Sequence, residues 1–443
     1  MPEAPIAKNE QAWRILFERL HILEQLEKAN YISITSQEIN TLREARLMTK
    51  FDHSYQLPAI FREHGLGILP TGRGRYLIGR FSIFHAVEPT PPDRIHVRPY
   101  YLLESISPTQ INSETAAIHY AHLTGILSDF TGDATLFPTL SGRMGTERFS
   151  FQIAVGKQCS IPIEVENAQI EIDAGYESET ALYLIEAKNH LADDFIIRQL
   201  YYPYRLWRER IRKPIRLLYL NYTDGNFYLR EYDFRDPDYY NSLRLLQSKC
   251  YVLDDEHFDA TALRKLLATT RVQPESSLPF PQADRLERVV NLCEILLQEG
   301  ELTKADIVEH YGFVPRQADY YTTAGRYLGL IAESGAGIRL SDAGARIFSL
   351  ELYARRIAII ESIASHEVFR QTLLLSLERG GDIPPRDAVQ ALLEAQTPGL
   401  SSTTYHRRTS TVVAWVLWVL QWVEKKEGLP FLFEDTNTLF IKK

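Results

Sequence analysis

The sequence predicts an α/β protein, a mixed sheet with helices on its faces, flanked by smaller helical modules. Three observations support this. The middle of the chain, residues 113–234, alternates helical stretches with apolar strand stretches, as a sheet covered by helices requires. On either side, runs of helical periodicity are followed by glycine-punctuated hairpins, over residues 10–81 and again over 286–344. Finally, 443 residues that are 45% hydrophobic and 24% charged have an ordinary globular composition, long enough for about three domains and a substantial core.

Residues 10–28 put Trp13, Leu16, Phe17, Leu20, Leu23 and Leu26 at helical spacing, which predicts one helix. A second helix is expected after Thr35 or Ser36, with Glu38 in its first turn, and a third over 57–64 with Pro58 near its start. Residues 68–81, ILPTGRGRYLIGRF, then give a hairpin in which Gly72 and Gly74 punctuate two apolar arms. Helices followed by a basic hairpin suggest a winged helix, and Arg73 and Arg75 at its tip suit phosphate contacts. The proline-rich residues 88–98 read as a linker, and residues 113–130 as an amphipathic helix capped by Ser113 or Asn112. Residues 141–145, SGRMG, read as a loop, with short strands over 149–153 and 161–165.

The centre of interest is residues 168–190, AQIEIDAGYESETALYLIEAKNH. A first strand alternates Ile170 and Ile172 with Glu171 and Asp173, and Gly175 with the following polar run reads as turn and loop. A second strand, 181–188, ends in Glu186-Ala187-Lys188, so Glu186 and Lys188 share a face. Paired strands bring Asp173 to them. Two carboxylates beside an ammonium suit Mg²⁺, which takes oxygen ligands, keeps waters and shares substrate phosphates. Asp173 and Glu186, with the Ala187 carbonyl, are the candidate ligands, Mn²⁺ is the expected substitute, and Lys188 would orient water and stabilise developing charge.

Asp173, twelve intervening residues, then Glu186-Ala187-Lys188 resembles the PD-(D/E)xK nuclease superfamily, the fold of most type II restriction endonucleases, with Ile172 where the motif's name has proline. The segment Arg198-Gln199-Leu200-Tyr201-Tyr202-Pro203-Tyr204-Arg205 resembles the helix that follows the motif, which makes Gln199 a further catalytic candidate. The resemblance implies a restriction-endonuclease-like core and Mg²⁺-dependent, sequence-specific cleavage of double-stranded DNA. Glu171 is the main rival ligand; Glu164 and Glu166 read as solvated, and Glu424-Lys425-Lys426 has the tripeptide spacing without an acidic strand before it.

The net charge of −8 excludes a uniformly basic surface, so DNA contacts must come from local patches. Residues 198–216 form one: Arg198, Arg205, Arg208, Arg210, Arg212, Lys213 and Arg216 against Glu209 alone. Beyond it, residues 215–222 and 227–234 are strands joined by a turn at 223–226, and 236–240 and 273–284 are loops. A second winged helix is expected after that: a helix over 286–299, another to His310 capped by Thr303, and a third opened by Pro315. That third helix carries Arg316, Gln317, Tyr320, Tyr321 and Arg326, suited to base edges and phosphates, before the hairpin SGAGIRLSDAG. The remainder is mostly helical, with Trp415, Trp418 and Trp422 at core spacing and Arg407 and Arg408 as DNA-facing candidates. The expected domains are 1–95 (winged-helix-like), 100–272 (nuclease), 283–350 (winged helix) and 351–443 (helical).

Cys159, Cys250 and Cys293 have no metal spacing and suggest a reducing compartment. The N-terminus lacks the layout of a signal peptide, and the longest apolar run, 411–423, is too short to span a bilayer. A cytoplasmic protein without membrane contact is expected. The absence of GxxxxGK[ST] disfavours ATP-dependent restriction. Palindromic cutting implies a homodimer, and a restriction system implies a cognate DNA methyltransferase. The rival functions are a repair or structure-specific nuclease, a methyl-directed nuclease, and a non-catalytic winged-helix regulator.

Overall fold

Trp13, Leu16 and Phe17 are buried along one stripe of Lys8–Arg19 (α1) in the computed structural model, which describes residues 8–89, 94–100, 103–109, 111–156, 159–254, 258–275, 278–311, 315–335 and 337–423. The side chains at 309–311, 315 and 316 lie outside that description. The expected continuous helix breaks at His21, whose φ of 48° ends it before Ile22–Lys28 (α2) begins. Tyr31–Thr35 (β1), which sequence periodicity missed, buries Ile32 and Ile34 and exposes Tyr31 and Ser33. Thr35 then caps Ser36–Asn40 (α3): its hydroxyl accepts from the Glu38 N–H, and its own N–H donates to Glu38 Oε2 at 2.7 Å. Ala45–Thr49 (α4), also missed, and Ala59–Glu63 (α5) lead to the expected hairpin of Gly67–Gly72 (β2) and Arg75–Gly79 (β3). The strands order as β1-β3-β2. Trp13 seats edge-on against Phe61 with ring centroids 4.8 Å apart, fastening the helices to one another.

Contact density divides the chain into two compact units, one of Met1–Asp93, Ser113–Asn221 and Tyr228–Cys250, the other of Arg94–Asn112, Tyr222–Phe227 and Tyr251–Lys443. After the short strand Phe84–Ala86 (β4), a seven-stranded mixed sheet dominates. Its members are Arg94–Val97 (β5), Phe137–Gly145 (β6), Gln169–Glu177 (β9), Leu182–Lys188 (β10), Ile215–Thr223 (β12), Asn226–Phe234 (β13) and Leu243–Leu253 (β14), ordered β5-β14-β13-β12-β10-β9-β6. Phe149–Val155 (β7) and Cys159–Val165 (β8) form a separate hairpin, and Asp194–Ile196 (β11) pairs with β4. Residues 94–97, expected in a linker, are therefore a strand.

β10 sits inside the sheet, antiparallel to β9 and parallel to β12, and all seven of its residues are buried, which explains its unbroken apolar run. Glu114–Leu123 (α6) and Arg198–Arg210 (α8) pack against β9 and β10, and α8 is the crossover that parallel pairing demands. Ser113 caps α6 as expected, but Gly125, at φ 74°, ends it and starts Ile126–Thr131 (α7). Two sequence expectations need correcting. SGRMG is no loop but the end of β6, an edge strand kept irregular by bulges. Gly175 does not turn the chain either; it lies inside β9, where a Cβ would stand 2.7 Å from that of Leu140. The β12–β13 turn forms as expected, with Asp224 and Gly225 both at positive φ.

Within the second unit, after Ala260–Thr269 (α9), come Leu286–Glu299 (α10), Glu301–Thr303 (β15), Lys304–Tyr311 (α11), Pro315–Tyr327 (α12), Ile331–Ser334 (β16) and Gly337–Leu340 (β17), the strands ordered β15-β17-β16. The strand order repeats that of the N-terminal module, which has five α-helices before its hairpin where this one has three. Five helices follow: Asp342–Phe348 (α13), Leu352–Ala364 (α14), Glu367–Glu378 (α15), Arg386–Gln396 (α16) and Ser402–Leu420 (α17). Trp415 stacks on Phe369 and its indole N–H reaches the Ala283 carbonyl at 2.7 Å, so the tryptophan stripe is core, as its spacing predicts. No helix among the described residues is long and apolar enough to cross a membrane.

Candidate active site

Glu186 and Lys188 leave the end of β10 on the same side, and Lys188 Nζ donates to Glu186 Oε1 at 2.6 Å. Both are buried, at 5% and 6% exposure. The β9–β10 ladder runs to the pair Ile185 and Ala174 and stops one step before Glu186 and Asp173. There the Asp173 side chain replaces the departed backbone, with Oδ2 accepting from the Ala187 N–H at 2.8 Å. The three residues singled out by spacing are thus gathered at one strand end. Ala187, expected to offer its carbonyl, is engaged through its N–H.

Two carboxylates absent from the sequence-based set join them. Glu114, the first residue of α6, lies 3.7 Å from Lys188 Nζ. Asp52, from the loop after α4, accepts from Gln199 Nε2 at 3.3 Å and adds its negative field to Glu114, Asp173, Glu186 and Lys188. Neither position carried a motif; an acid in a first helical turn is common, and KFDHS has no spacing to mark it.

The charges explain the titration of the cluster. Burial, reinforced by Asp173, pushes the Glu186 carboxyl up to about 8 even against the neighbouring ammonium. Burial also raises Asp173 and Glu114, opposed in each by Lys188. Burial works against the Lys188 charge, yet Glu186, Glu114 and Asp52 outweigh it and hold the ammonium well above its ordinary range. Four carboxyl groups gather around Lys188, with Lys50 3.9 Å from Asp52 at the edge, so the acids outnumber the ammonium groups, an imbalance that a divalent cation would offset. Among the described residues no three His, Cys, Asp or Glu side chains are close enough to cage a metal. Asp173 and Glu186 as a sparse oxygen pair suit an ion that keeps its waters.

The cluster floors a cleft of about 750 Å³ within the first unit. The N-terminal module lines the same cleft through Ser36, Asn40 and Arg46 from α3 and α4, Lys50, which lies 3.9 Å from Asp52, and Arg73 from the hairpin tip. Arg198 and Gln199 line it from the start of α8. Of the rival acids, Glu171 pairs with Arg143 at 3.2 Å and Glu164 with Arg148 at 3.1 Å, while Glu166 lies 3.8 Å from Arg75.

The basic stretch largely serves the fold. Arg205, expected to face DNA, is buried and donates to the Ser150 carbonyl and the Tyr201 hydroxyl, both at 2.9 Å, because a planar guanidinium can satisfy several inward-facing acceptors. Arg216 grips Glu231 with two bonds of 2.6 Å, and Lys213 meets Glu177 at 2.6 Å. Arg208 and Arg212 remain exposed. In the second unit the Arg316 side chain lies outside the described residues, Arg326 pairs with Glu333 at 2.7 Å, and Gln317 is half-buried. Tyr320 and Arg407 line a separate cavity of about 360 Å³, whereas Arg408 is buried.

Three domain models match the chain, each described only as a domain of unknown function: DUF6996 over residues 10–78, DUF6997 over 79–252 and DUF7226 over 288–424. No curated protein and no solved structure matches it. The first junction falls at the end of the β2–β3 hairpin, so the helical module and the sheet are separate family units even though one compact unit contains both.

Proposed function

We propose that the chain is a Mg²⁺-dependent endonuclease acting on double-stranded DNA, with a PD-(D/E)xK-like core and two winged-helix modules, working as a type II restriction enzyme. The observation that carries this is the meeting of Asp173, Glu186 and Lys188 at the end of β10, with Asp173 bound to the Ala187 N–H. Phosphodiester hydrolysis forms a bond from water oxygen to phosphorus, breaks a bridging P–O bond and passes the water's proton to the departing oxygen through solvent. Asp173 and Glu186 would hold the cation, which supplies charge neutralisation at phosphorus and a more acidic water. Lys188 places a fixed positive charge beside the attacked phosphate. Arg73 and Lys50 on the cleft lining suit the flanking phosphates, and α3 and the hairpin tip offer winged-helix contact elements to the same space.

Incubation of purified protein with supercoiled plasmid and Mg²⁺ tests this. Discrete linear fragments are expected from the wild type and none from Glu186→Ala or Lys188→Ala. Uncut plasmid with either Mg²⁺ or Mn²⁺ would leave only a DNA-binding protein. A homodimer on palindromic DNA and a partner methyltransferase belong to the same proposal.

A further inference from the structure

We infer that the N-terminal module is part of the cleavage centre, because Asp52 holds the amide of Gln199, a residue that lines the site's cleft. The inference rests on the nuclease function proposed above.

A carboxylate has only acceptors, so the Gln199 group turned toward Asp52 Oδ1 must be its NH₂, and the amide oxygen is forced the other way. That oxygen, Oε1, is buried and has no hydrogen-bond partner, on a residue that lines the cleft. A desolvated acceptor without a donor costs free energy unless something arrives to fill it. In this cleft the arriving group is a water or a hydroxyl beside the attacked phosphate, whose proton Oε1 would accept and thereby aim its oxygen.

Asp52 is held firmly enough to impose this. Its N–H donates to Gln56 Oε1 at 2.7 Å and its carbonyl accepts from Ile196 of β11 at 2.8 Å. The next residues are pinned as well: the buried His53 ring bonds the Asp194 carbonyl, and the Ser54 N–H donates to Asp194 Oδ1 at 3.0 Å. The loop from α4 is therefore docked on β11 by bonds that do not involve the Asp52 carboxylate. Removing that carboxylate should release Gln199 without releasing the loop. Asp52 is thus a positioning residue acting through Gln199.

The test compares plasmid nicking with Mg²⁺ by the wild type, Lys188→Ala, Asp52→Ala, Gln199→Glu and the double variant Asp52→Asn/Gln199→Glu. Asp52→Ala should lower kcat about 10- to 100-fold, the usual cost of losing an outer-shell partner, with KM for DNA and Tm close to wild type. Gln199→Glu sets two carboxylates against each other and should lose at least as much. The double variant restores an N–H···O pair between the two positions and keeps an acceptor at position 199, so it should regain most of the lost rate. Wild-type kcat in Asp52→Ala, a loss confined to KM or Tm, or no recovery in the double variant would overturn the inference while the Lys188→Ala loss still upholds the nuclease. A wild type that cuts no plasmid would overturn both.

Discussion

The N-terminal module and the module over 286–340 have the same strand order, β1-β3-β2 against β15-β17-β16, but the first carries five α-helices before its hairpin and the second three, and residues of the first line the cleft beside the acid and lysine cluster. Both begin their second helical segment with a threonine cap: Thr35 with Glu38, and Thr303 with Asp306. What separates them is the stretch before the hairpin. In the first it includes 50–56, whose backbone is bonded to β11 and whose Asp52 reaches Gln199; in the second, α12 (Pro315–Tyr327) comes before the hairpin.

The sharpest division between the modules should appear in chemistry. Lys188→Ala is expected to reduce the cleavage rate by about 10³-fold or more, as the loss of a preorganised charge at phosphorus does, and to leave DNA binding measured by fluorescence anisotropy nearly intact. Gln317→Ala in the second module should do the reverse, weakening preference among DNA sites by about 1–3 kcal/mol while the single-turnover rate on bound DNA stays the same. Equal loss of rate in both variants would erase the distinction.

The next effect is on pH. Because Glu186 titrates near 8 in the folded protein, above the ordinary carboxyl range, the apo protein loses stability as pH rises through that value. Cation binding needs the ionised form and releases that proton, so the stabilisation by Mg²⁺ should grow by about 1 kcal/mol per pH unit between pH 6 and 8 and flatten above. Thermal shifts at fixed Mg²⁺ read this directly; a shift that is constant with pH would place the ion elsewhere.

Smaller effects follow at the module surfaces. Arg73→Ala should weaken binding equally on all sequences and flatten the slope of log affinity against log salt by about 1. Thr35→Ala and Thr303→Ala should each cost about 1 kcal/mol in urea unfolding, with a change in cleavage expected only from Thr35→Ala, whose helix lines the cleft.

How much of this was readable from the sequence depended on range. Asp173, Glu186 and Lys188 lie on two consecutive strands, so period-two alternation alone brings them together. Asp52 and Glu114 arrive through tertiary docking of separate elements, and no local spacing encodes that. Short elements failed for a related reason: β1 and α4 have five residues each, too few for periodicity to declare itself. Glycine misled at Gly175, where it makes room for Leu140 rather than a turn. The arginines of 198–216 misled because composition records charge but not direction, and Arg205 and Arg216 point inward.

Anomalous diffraction from crystals soaked in Mn²⁺ bears on the strand-end cluster without any assumption about substrate. A strong peak within bonding distance of the Asp173 and Glu186 carboxylates is expected, and it should vanish in Glu186→Ala. No peak there, or one bound only by side chains away from β9 and β10, would contradict a cation-dependent hydrolase at this site.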